Sequence, residues 1–305
     1  MKRSTLYLLG IIITIIVGIY FYINCCSYCS PMVQQQEEAK QEVAPTPAPP
    51  KASSYPFALS DGDFNYETQD NYNFNRSSPG FIEPVSENVT RGISPGLKDY
   101  LATHKDKVLT LTGYYQSDED NNTAFPNLGL ARANSVKNHL TSLEIPSSQI
   151  DIQGKLMGDM VADGNIFKGP IAYAFSEKSG NDDDETKALY EKITSDPLVL
   201  YFDTAEASIN PSEEQRQKIA DIVRYLDKVE NAKCNIVGYT DSKGGRQTNL
   251  RLGQGRADFA KAYLVQNGIA ADRIASSSKG PNDPIASNAT EEGRAKNRRT
   301  VISIK

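Results

Sequence analysis

The residues with the clearest chemical potential lie in one stretch near the C-terminus. Asp241 follows the apolar run 235–239, which predicts a strand, and Arg256 comes fifteen residues later on a predicted helix. A strand, a loop and a helix in succession can fold back so that these two side chains meet. Arginine grips a carboxylate with a planar fork of N–H groups that lysine cannot reproduce. The alternative is that Asp241 caps its loop and Arg256 bridges to the sheet.

The composition argues against catalysis and against metal binding. The 305 residues include only two histidines, His104 and His139, and four cysteines. These counts exclude a histidine-rich metal centre and a disulfide-dense scaffold. Cys234 falls inside a predicted strand, and Asp241 alone lacks the base or metal that hydrolysis needs. We therefore expect a binding protein and not an enzyme, with no metal and no cofactor.

The surrounding sequence predicts an α/β domain that positions these residues. Three short apolar runs predict strands, at residues 198–202, 235–239 and 301–304. Asn210, followed by proline and acidic residues, marks the start of one helix, and residues 249–266 form another. Asn249, Leu252 and Arg256 are spaced so that they share one face of this second helix. Alternating strands and helices give a sandwich of one sheet with helices on one face.

A series of motifs runs in order through residues 196–305. They are Gly238-Tyr-Thr-Asp-Ser-Lys-Gly244, Asn249-Leu-Arg-Leu-Gly-Gln-Gly-Arg-Ala257, Asn267-Gly-Ile269, Arg273-Ile274, Pro284-Ile-Ala286 and Glu292-Gly-Arg-Ala-Lys-Asn-Arg-Arg299. The combined pattern resembles the OmpA-like, or Pal-like, peptidoglycan-binding domain, whereas Thr-Asp alone would carry no information. The resemblance implies the fold of that family. It also implies a ligand, the stem peptide of peptidoglycan, typically at its diaminopimelate residue.

In members of this family, the recognised end of diaminopimelate carries an ammonium and a carboxylate on one carbon. Its recognition needs an acid and a forked base a few ångström apart. The resemblance assigns peptidoglycan binding to six residues: Asp241, Arg256, Asn249, Thr240, Leu252 and Arg299. Two roles stay open for Arg298 and Arg299, namely contact with the ligand or a salt bridge inside the fold. We expect the second role for at least one of them.

An earlier stretch repeats this region at an offset of 124 residues. Leu128, Gly129, Arg132, Ala133, Lys137 and Leu140 match Leu252, Gly253, Arg256, Ala257, Lys261 and Leu264. Residues 57–178 are therefore predicted to be a second, degenerate copy and not a solenoid repeat. Gln116 replaces the aspartate and Phe125 replaces the asparagine of the site, so Arg132 is expected to lack an acid partner. The role of this copy stays open between a spacer, a dimer surface and a protein-binding module.

The first thirty residues predict a membrane anchor. A basic head, Lys2-Arg3, precedes the uncharged apolar segment 4–23, which is long enough to cross a hydrocarbon core of about 30 Å. The positive charges favour a cytoplasmic N-terminus, with the remaining chain in the periplasm. Three cysteines follow: Cys25, Cys26 and Cys29. They are disulfide-linked, lipidated or without a role. Lipidation at the first or second would make the protein an outer-membrane lipoprotein.

The sequence thus predicts two OmpA-like βαβαβ sandwich domains in tandem behind a single transmembrane helix. The predicted segments are the head and anchor 1–30, a Pro/Ala/Gln-rich linker 31–56, the degenerate domain 57–178, an acidic linker 179–195 and the peptidoglycan-binding domain 196–305. The net charge of −5 argues against nucleic-acid binding. Expected partners are peptidoglycan, the membrane, and a second copy or other envelope proteins.

The leading functional hypothesis is an inner-membrane protein that tethers or localises a membrane assembly to the cell wall. The first alternative is a Pal-type outer-membrane lipoprotein. The second is a stator-like component of an ion-driven machine, which would need a carboxylate in the membrane. No carboxylate interrupts residues 4–23, so the stator hypothesis ranks last.

Overall fold

The computed structural model describes residues 3–23, 51–62, 64–178, 182–202 and 211–305. Contacts between residues divide the chain into two units, Met1–Pro49 and Pro50–Lys305. The first unit contains helix α1, Arg3–Phe21. In the part of the chain that is described, no helix is both long enough and apolar enough to cross a bilayer. The transmembrane helix predicted at residues 4–23 is therefore not confirmed.

Several N-terminal predictions fall on residues that the structure does not describe. The predicted disulfide or lipid attachment involves Cys25, Cys26 and Cys29, all outside the described ranges. The same is true of residues 31–50 of the predicted linker.

The first domain is built around a central strand that pairs with a neighbour on each side. Its elements are β1 (Phe57–Asp61), β2 (Phe64–Thr68), β3 (Phe74–Asn75), α2 (Glu87–Arg91), α3 (Lys98–Thr103), β4 (Lys107–Tyr115), α4 (Leu128–Ser142), β5 (Ile150–Leu156), β6 (Ile166–Phe167) and β7 (Ile171–Glu177). Strand β4 is parallel to β5 and antiparallel to β7. Asn127 caps α4 by accepting from the Leu130 N–H. Leu111 of β4 and Val136 of α4 belong to one buried core.

Helix α5, Asp182–Ser195, occupies the stretch that was expected to be an acidic linker. Ile193 is buried in the core of the C-terminal domain, and Leu189 packs against the same core. The Tyr190 ring lies 5.7 Å from the Tyr225 ring of the next helix. The sequence predicted a linker here because of the acidic residues. In the structure the charged residues lie on the outer side of an amphipathic helix, and its apolar side is packed on the core.

The C-terminal domain has a four-stranded sheet. Its elements are β8 (Leu198–Tyr201), α6 (Glu213–Lys228), β9 (Cys234–Tyr239), α7 (Arg246–Gln266), β10 (Ile274–Gly280), α8 (Glu291–Asn297) and β11 (Arg299–Ile304). The strand order is β10-β9-β11-β8, with β9 parallel to β10 and antiparallel to β11. Ser212 caps α6 through a capping box with Gln215. The cap predicted at Asn210 lies outside the described residues.

Facing glycines bring the central strand and the long helix together in both domains. A Cβ on Gly238 would overlap the carbonyl oxygen of Gly253, and a Cβ on Gly113 would overlap that of Gly129. Any larger residue would push the helix away from the sheet and open the packed core. Both sheets also place a parallel strand on one side of the central strand and an antiparallel strand on the other. A duplicated domain would show these shared features.

The two domains bury side chains against each other. Phe125 of the first domain is 2 % exposed and lies within the core of the second. Lys137 Nζ lies 2.5 Å from Asp227 Oδ2 in an ion pair between the domains. The Ala124 N–H donates to Asn267 Oδ1 at 2.8 Å. The first domain therefore completes the core of the C-terminal domain.

Candidate functional site

The loop that carries Asp241 begins where β9 ends. The Thr240 N–H donates to Gly280 O at 2.8 Å, and the Thr240 hydroxyl donates to Asp241 O at 2.9 Å. Asp241 Oδ1 accepts from the Lys243 N–H at 2.9 Å, and Asn249 Nδ2 donates to Lys243 O at 3.0 Å. Thr240 and Asn249 are both buried. Their contacts fix the shape of the loop.

Asp241 forms an ion pair with Arg298, the residue that precedes β11. Arg298 Nη1 lies 3.1 Å from Asp241 Oδ2, and Arg298 Nη2 lies 3.0 Å from Glu291 Oε1. Of the two arginines for which a salt bridge was expected, Arg298 is the one that makes it. Asp241 was expected to meet Arg256; the arginine that forms its ion pair is Arg298, while Arg256 feels the charge of Asp241.

Arg256 is buried in α7, with 1 % of its surface exposed. Its Cζ lies 5.4 Å from the centroid of the Phe202 ring. Burial lowers the pKa of Arg256, the charge of Arg298 lowers it further, and the charge of Asp241 opposes this effect. An arginine remains cationic at neutral pH despite such a shift. Arg256, Arg298 and Asp241 thus form one electrostatically coupled cluster.

Leu252 and Arg299 have contrasting surroundings. Leu252 on α7 is 41 % exposed, so part of its apolar side chain is accessible from solvent. Arg299 is buried, its Nη2 donates to Asp283 O at 3.0 Å, and its Cζ lies 3.9 Å from the centroid of the Tyr239 ring. Burial lowers the pKa of Arg299. These contacts hold Arg299 against Tyr239 of β9 and the segment after β10, and its assignment to peptidoglycan binding stays a prediction.

Asn297 is a supporting residue that the sequence analysis did not single out. It is fully buried, and its Oδ1 accepts from two backbone N–H groups at 2.8 and 3.1 Å. Its Nδ2 donates to Asn288 Oδ1 at 3.0 Å, and the same oxygen accepts from the Ser242 N–H at 3.2 Å. Asn297 therefore connects the segment after β10 to the Asp241 loop. In the sequence, only its position in the motif that precedes β11 indicated this role.

The first domain supplies an acid where none was expected. Arg132, the counterpart of Arg256, forms an ion pair with Glu119, and both side chains are fully buried. Gln116 donates from its side chain to Met160 O at 2.7 Å. The expectation that Arg132 lacks an acid partner is wrong. Glu119 reaches it from the loop between β4 and α4, three residues beyond the position that was compared.

The described residues offer no metal-binding cluster of three or more histidine, cysteine or acidic side chains. Cys234 lies buried in β9, and burial raises the pKa of its thiol to about 12. A thiol with that pKa is protonated at neutral pH and is a poor nucleophile.

The strand, loop and helix that carry Asp241 and Arg256 lie in a domain of a known family. Residues 201–298 match the OmpA family, so this part of the chain is an OmpA-family domain. The resemblance drawn from the motifs of residues 196–305 is confirmed. For this domain, the prediction of a binding protein and not an enzyme is confirmed, since the peptidoglycan-binding members of this family are non-enzymatic.

Named relatives are similar to part of the chain. The probable lipoprotein YiaD of Escherichia coli is 38 % identical over 112 residues, which are 37 % of this chain and 50 % of YiaD. The peptidoglycan-binding protein ArfA of Mycobacterium tuberculosis is 36 % identical over 151 residues, which are 49 % of this chain and 43 % of ArfA. The chain therefore spans about half the length of these curated relatives.

Solved structures include similar domains. The peptidoglycan-associated lipoprotein from Burkholderia pseudomallei is 27 % identical, and the match covers 35 % of this chain and 90 % of that chain with a TM-score of 0.32.

Proposed function

We propose that the C-terminal domain binds peptidoglycan non-covalently through the diaminopimelate residue of the stem peptide. The observation that carries the proposal is the coupled cluster of Asp241, Arg298 and buried Arg256 within an OmpA-family domain. The similar protein ArfA is named a peptidoglycan-binding protein, which supports peptidoglycan as the ligand. The chain would then tether or localise a membrane assembly to the cell wall.

The proposed ligand end carries an ammonium and a carboxylate on one carbon, and the cluster offers a partner for each. Asp241 accepts the ammonium, and Arg256 presents its fork of N–H groups to the carboxylate. Arg298 balances Asp241 before the ligand arrives and holds its carboxylate in place through a contact of 3.1 Å. On binding, the ligand ammonium therefore replaces Arg298 as the partner of Asp241 or shares Asp241 with it. Asp241 keeps a charged partner throughout, which limits the free-energy cost of desolvating its carboxylate.

The other candidate residues add to the roles of Asp241 and Arg256. Thr240 and Asn249 are buried and shape the Asp241 loop. Leu252 is exposed and can pack against the aliphatic part of the diaminopimelate side chain. Arg299 acts at a distance by holding β11 against Tyr239.

The anchor at residues 4–23 is part of the proposal. All side chains from 11 to 23 are exposed, and most are apolar. Lipid would cover such a surface, since soluble proteins rarely leave a large apolar patch in water. We place the head in the cytoplasm and residues 51–305 in the periplasm. One observation favours the alternative of an outer-membrane lipoprotein, because the similar protein YiaD is named a probable lipoprotein.

Residues 57–178 are proposed to be a duplicated copy that keeps the fold and supports the binding domain. The facing glycines of both domains and Phe125 in the C-terminal core support this assignment. In this role the copy positions the wall-binding domain and makes no wall contact itself.

Sedimentation with insoluble peptidoglycan sacculi tests the proposed function. Residues 51–305 should sediment with the sacculi, and Asp241→Ala or Arg256→Ala should each lose most of the binding. Removing one charged partner costs about 2–5 kcal/mol because the other charge is left unpaired. Arg251→Ala is the matched control, since Arg251 is exposed on the same helix. Full retention by both site variants, with circular dichroism showing that they fold, would contradict the site assignment.

A further inference from the structure

We propose that the first domain contains a carboxylate-binding cavity and that its own Glu119 permanently occupies it. Arg132 is the counterpart of Arg256, so the comparison with a ligand site rests on the proposed function. The contacts of Arg132 and Glu119 are independent of that function and carry the proposal.

The two arginines occupy equivalent places. Arg132 and Arg256 lie 124 residues apart at corresponding positions of α4 and α7. Arg132 is buried beside two aromatic rings and Arg256 beside one. Arg132 Cζ lies 5.5 Å from the Phe74 ring and 5.4 Å from the Phe167 ring, and Arg256 Cζ lies 5.4 Å from the Phe202 ring. Both domains thus hold a buried guanidinium against aromatic side chains.

The Glu119 carboxylate is bound as an external carboxylate would be. Its Oε1 accepts from Arg132 Nη2 and from the Ser77 N–H, the latter at 3.0 Å. Its Oε2 accepts from Arg132 Nη1 at 3.1 Å and from the Gln116 N–H at 2.8 Å. Four donors from three separate segments therefore converge on one carboxylate. Paired N–H groups of arginine and backbone N–H groups form the donor set that a carboxylate ligand needs.

Arg132 is held in place independently of Glu119. Its Nε donates to Ser78 O at 3.1 Å, its Nη1 to Tyr114 O at 2.8 Å and its Nη2 to Asn75 O at 3.4 Å. With the two bonds to Glu119, these contacts use all five N–H groups of the guanidinium. The three backbone carbonyls would keep the arginine oriented if the glutamate side chain were removed. The donors would then surround an open cavity.

This arrangement has a functional consequence for the tandem. A cavity filled by a covalently attached carboxylate is occupied at an effective concentration that a free ligand does not match. The first domain therefore takes no carboxylate from the wall, and the chain grips peptidoglycan at one site. The acidic loop 117–123, which carries Glu119, is the element that closes this site.

Chemical rescue with acetate tests the proposal. Glu119→Ala in residues 51–305 removes two carbons and two oxygens, a fragment with the size and charge of acetate. The variant should melt at a lower temperature than the parent protein in sodium chloride. In sodium acetate of equal ionic strength, its melting temperature should rise, level off with concentration and recover more than half of the loss. Trimethylacetate, which is too bulky for the cavity, should not produce this recovery.

Two variants show whether the rescue belongs to this cavity. Asp118→Ala removes the neighbouring acid, which pairs with Arg76 at the surface, and should respond equally to acetate and chloride. The double variant Glu119→Ala/Arg132→Met should lose the rescue, because the fork that grips acetate is gone.

The proposal is overturned if acetate stabilises Glu119→Ala no more than chloride, or if the double variant is rescued equally well. Should Glu119→Ala be unfolded in chloride, recovery of its circular dichroism on adding acetate is the same readout, and absence of recovery overturns the proposal. The sacculus experiment probes Asp241 and Arg256 and not Glu119. Each experiment can therefore fail without the other.

Discussion

Asp241 and Arg298 lie 57 residues apart in the sequence and 3.1 Å apart in the structure. The pair brings the loop after β9 together with the start of β11, and Arg256 on α7 feels the charge of both residues. The site therefore depends on side chains from three separate elements. Small displacements of any of them would change the electrostatic balance at Asp241.

Asn297 is expected to control this alignment without touching the ligand. Asn297→Ala should lower the free energy of unfolding by about 2–3 kcal/mol, because buried backbone groups lose their partners. It should also weaken sacculus binding, since Asn288 and Ser242 connect it to the Asp241 loop. Urea unfolding and sedimentation measure the two effects. Asn282→Ala is the control, since Asn282 is exposed, and equal stability of the two variants would contradict this role.

At the scale of elements, the loop before α4 and the helix itself join the two domains. Phe125 lies in the C-terminal core, and Lys137 of α4 pairs with Asp227 of α6. Burial raises the pKa of Asp227 although Lys137 opposes the shift. The ionised carboxylate is therefore disfavoured by burial, and the lysine offsets only part of this cost.

Phe125→Ala should destabilise the C-terminal domain as well as its own. Removing a buried phenyl ring leaves a cavity and costs about 3–5 kcal/mol. The unfolding of residues 51–305 in denaturant should be monitored through a signal from each domain. Both signals should show the same single transition, with its midpoint at a lower denaturant concentration than in the parent protein. Phe259→Ala provides the comparison, because Phe259 is 37 % exposed. If both variants unfold at the same midpoint, Phe125 contributes nothing to the shared core.

Local patterns predicted the main elements of the C-terminal domain. The predicted strand 235–239 and helix 249–266 correspond to β9 and α7, which begin one and three residues earlier. Apolar periodicity reports which face of an element is buried, so it locates the element itself. It does not report which distant side chains meet. For this reason the sequence indicated Asp241, Arg256 and a salt bridge at Arg298 or Arg299, but neither Asp241 as the partner of Arg298 nor Glu119 as the partner of Arg132.

At the scale of the whole molecule, the N-terminal segment bears on how the binding domain is attached to the envelope. The apolar segment at residues 4–23 and the three cysteines that follow support two different attachments. Each would place the C-terminal domain within reach of the wall, from the inner membrane or from the outer membrane.

Mass spectrometry of the protein purified from membranes separates these attachments. We expect the intact N-terminus, at or near Met1, because the apolar run exceeds the usual length of a signal peptide. A reporter that is active only after export should work when fused after Lys305. A mature chain that begins at Cys25 or Cys26 and carries acyl groups would contradict the inner-membrane anchor.

Titration with a soluble stem peptide that contains diaminopimelate tests the central claim most directly. Calorimetry on residues 51–305 should show binding to a single site per chain. Acetylating the free ammonium of diaminopimelate should abolish binding because the ligand can no longer pair with Asp241. Amidating its free carboxylate should abolish binding because the ligand can no longer pair with Arg256. Binding of either blocked peptide with the affinity of the parent peptide would contradict the account.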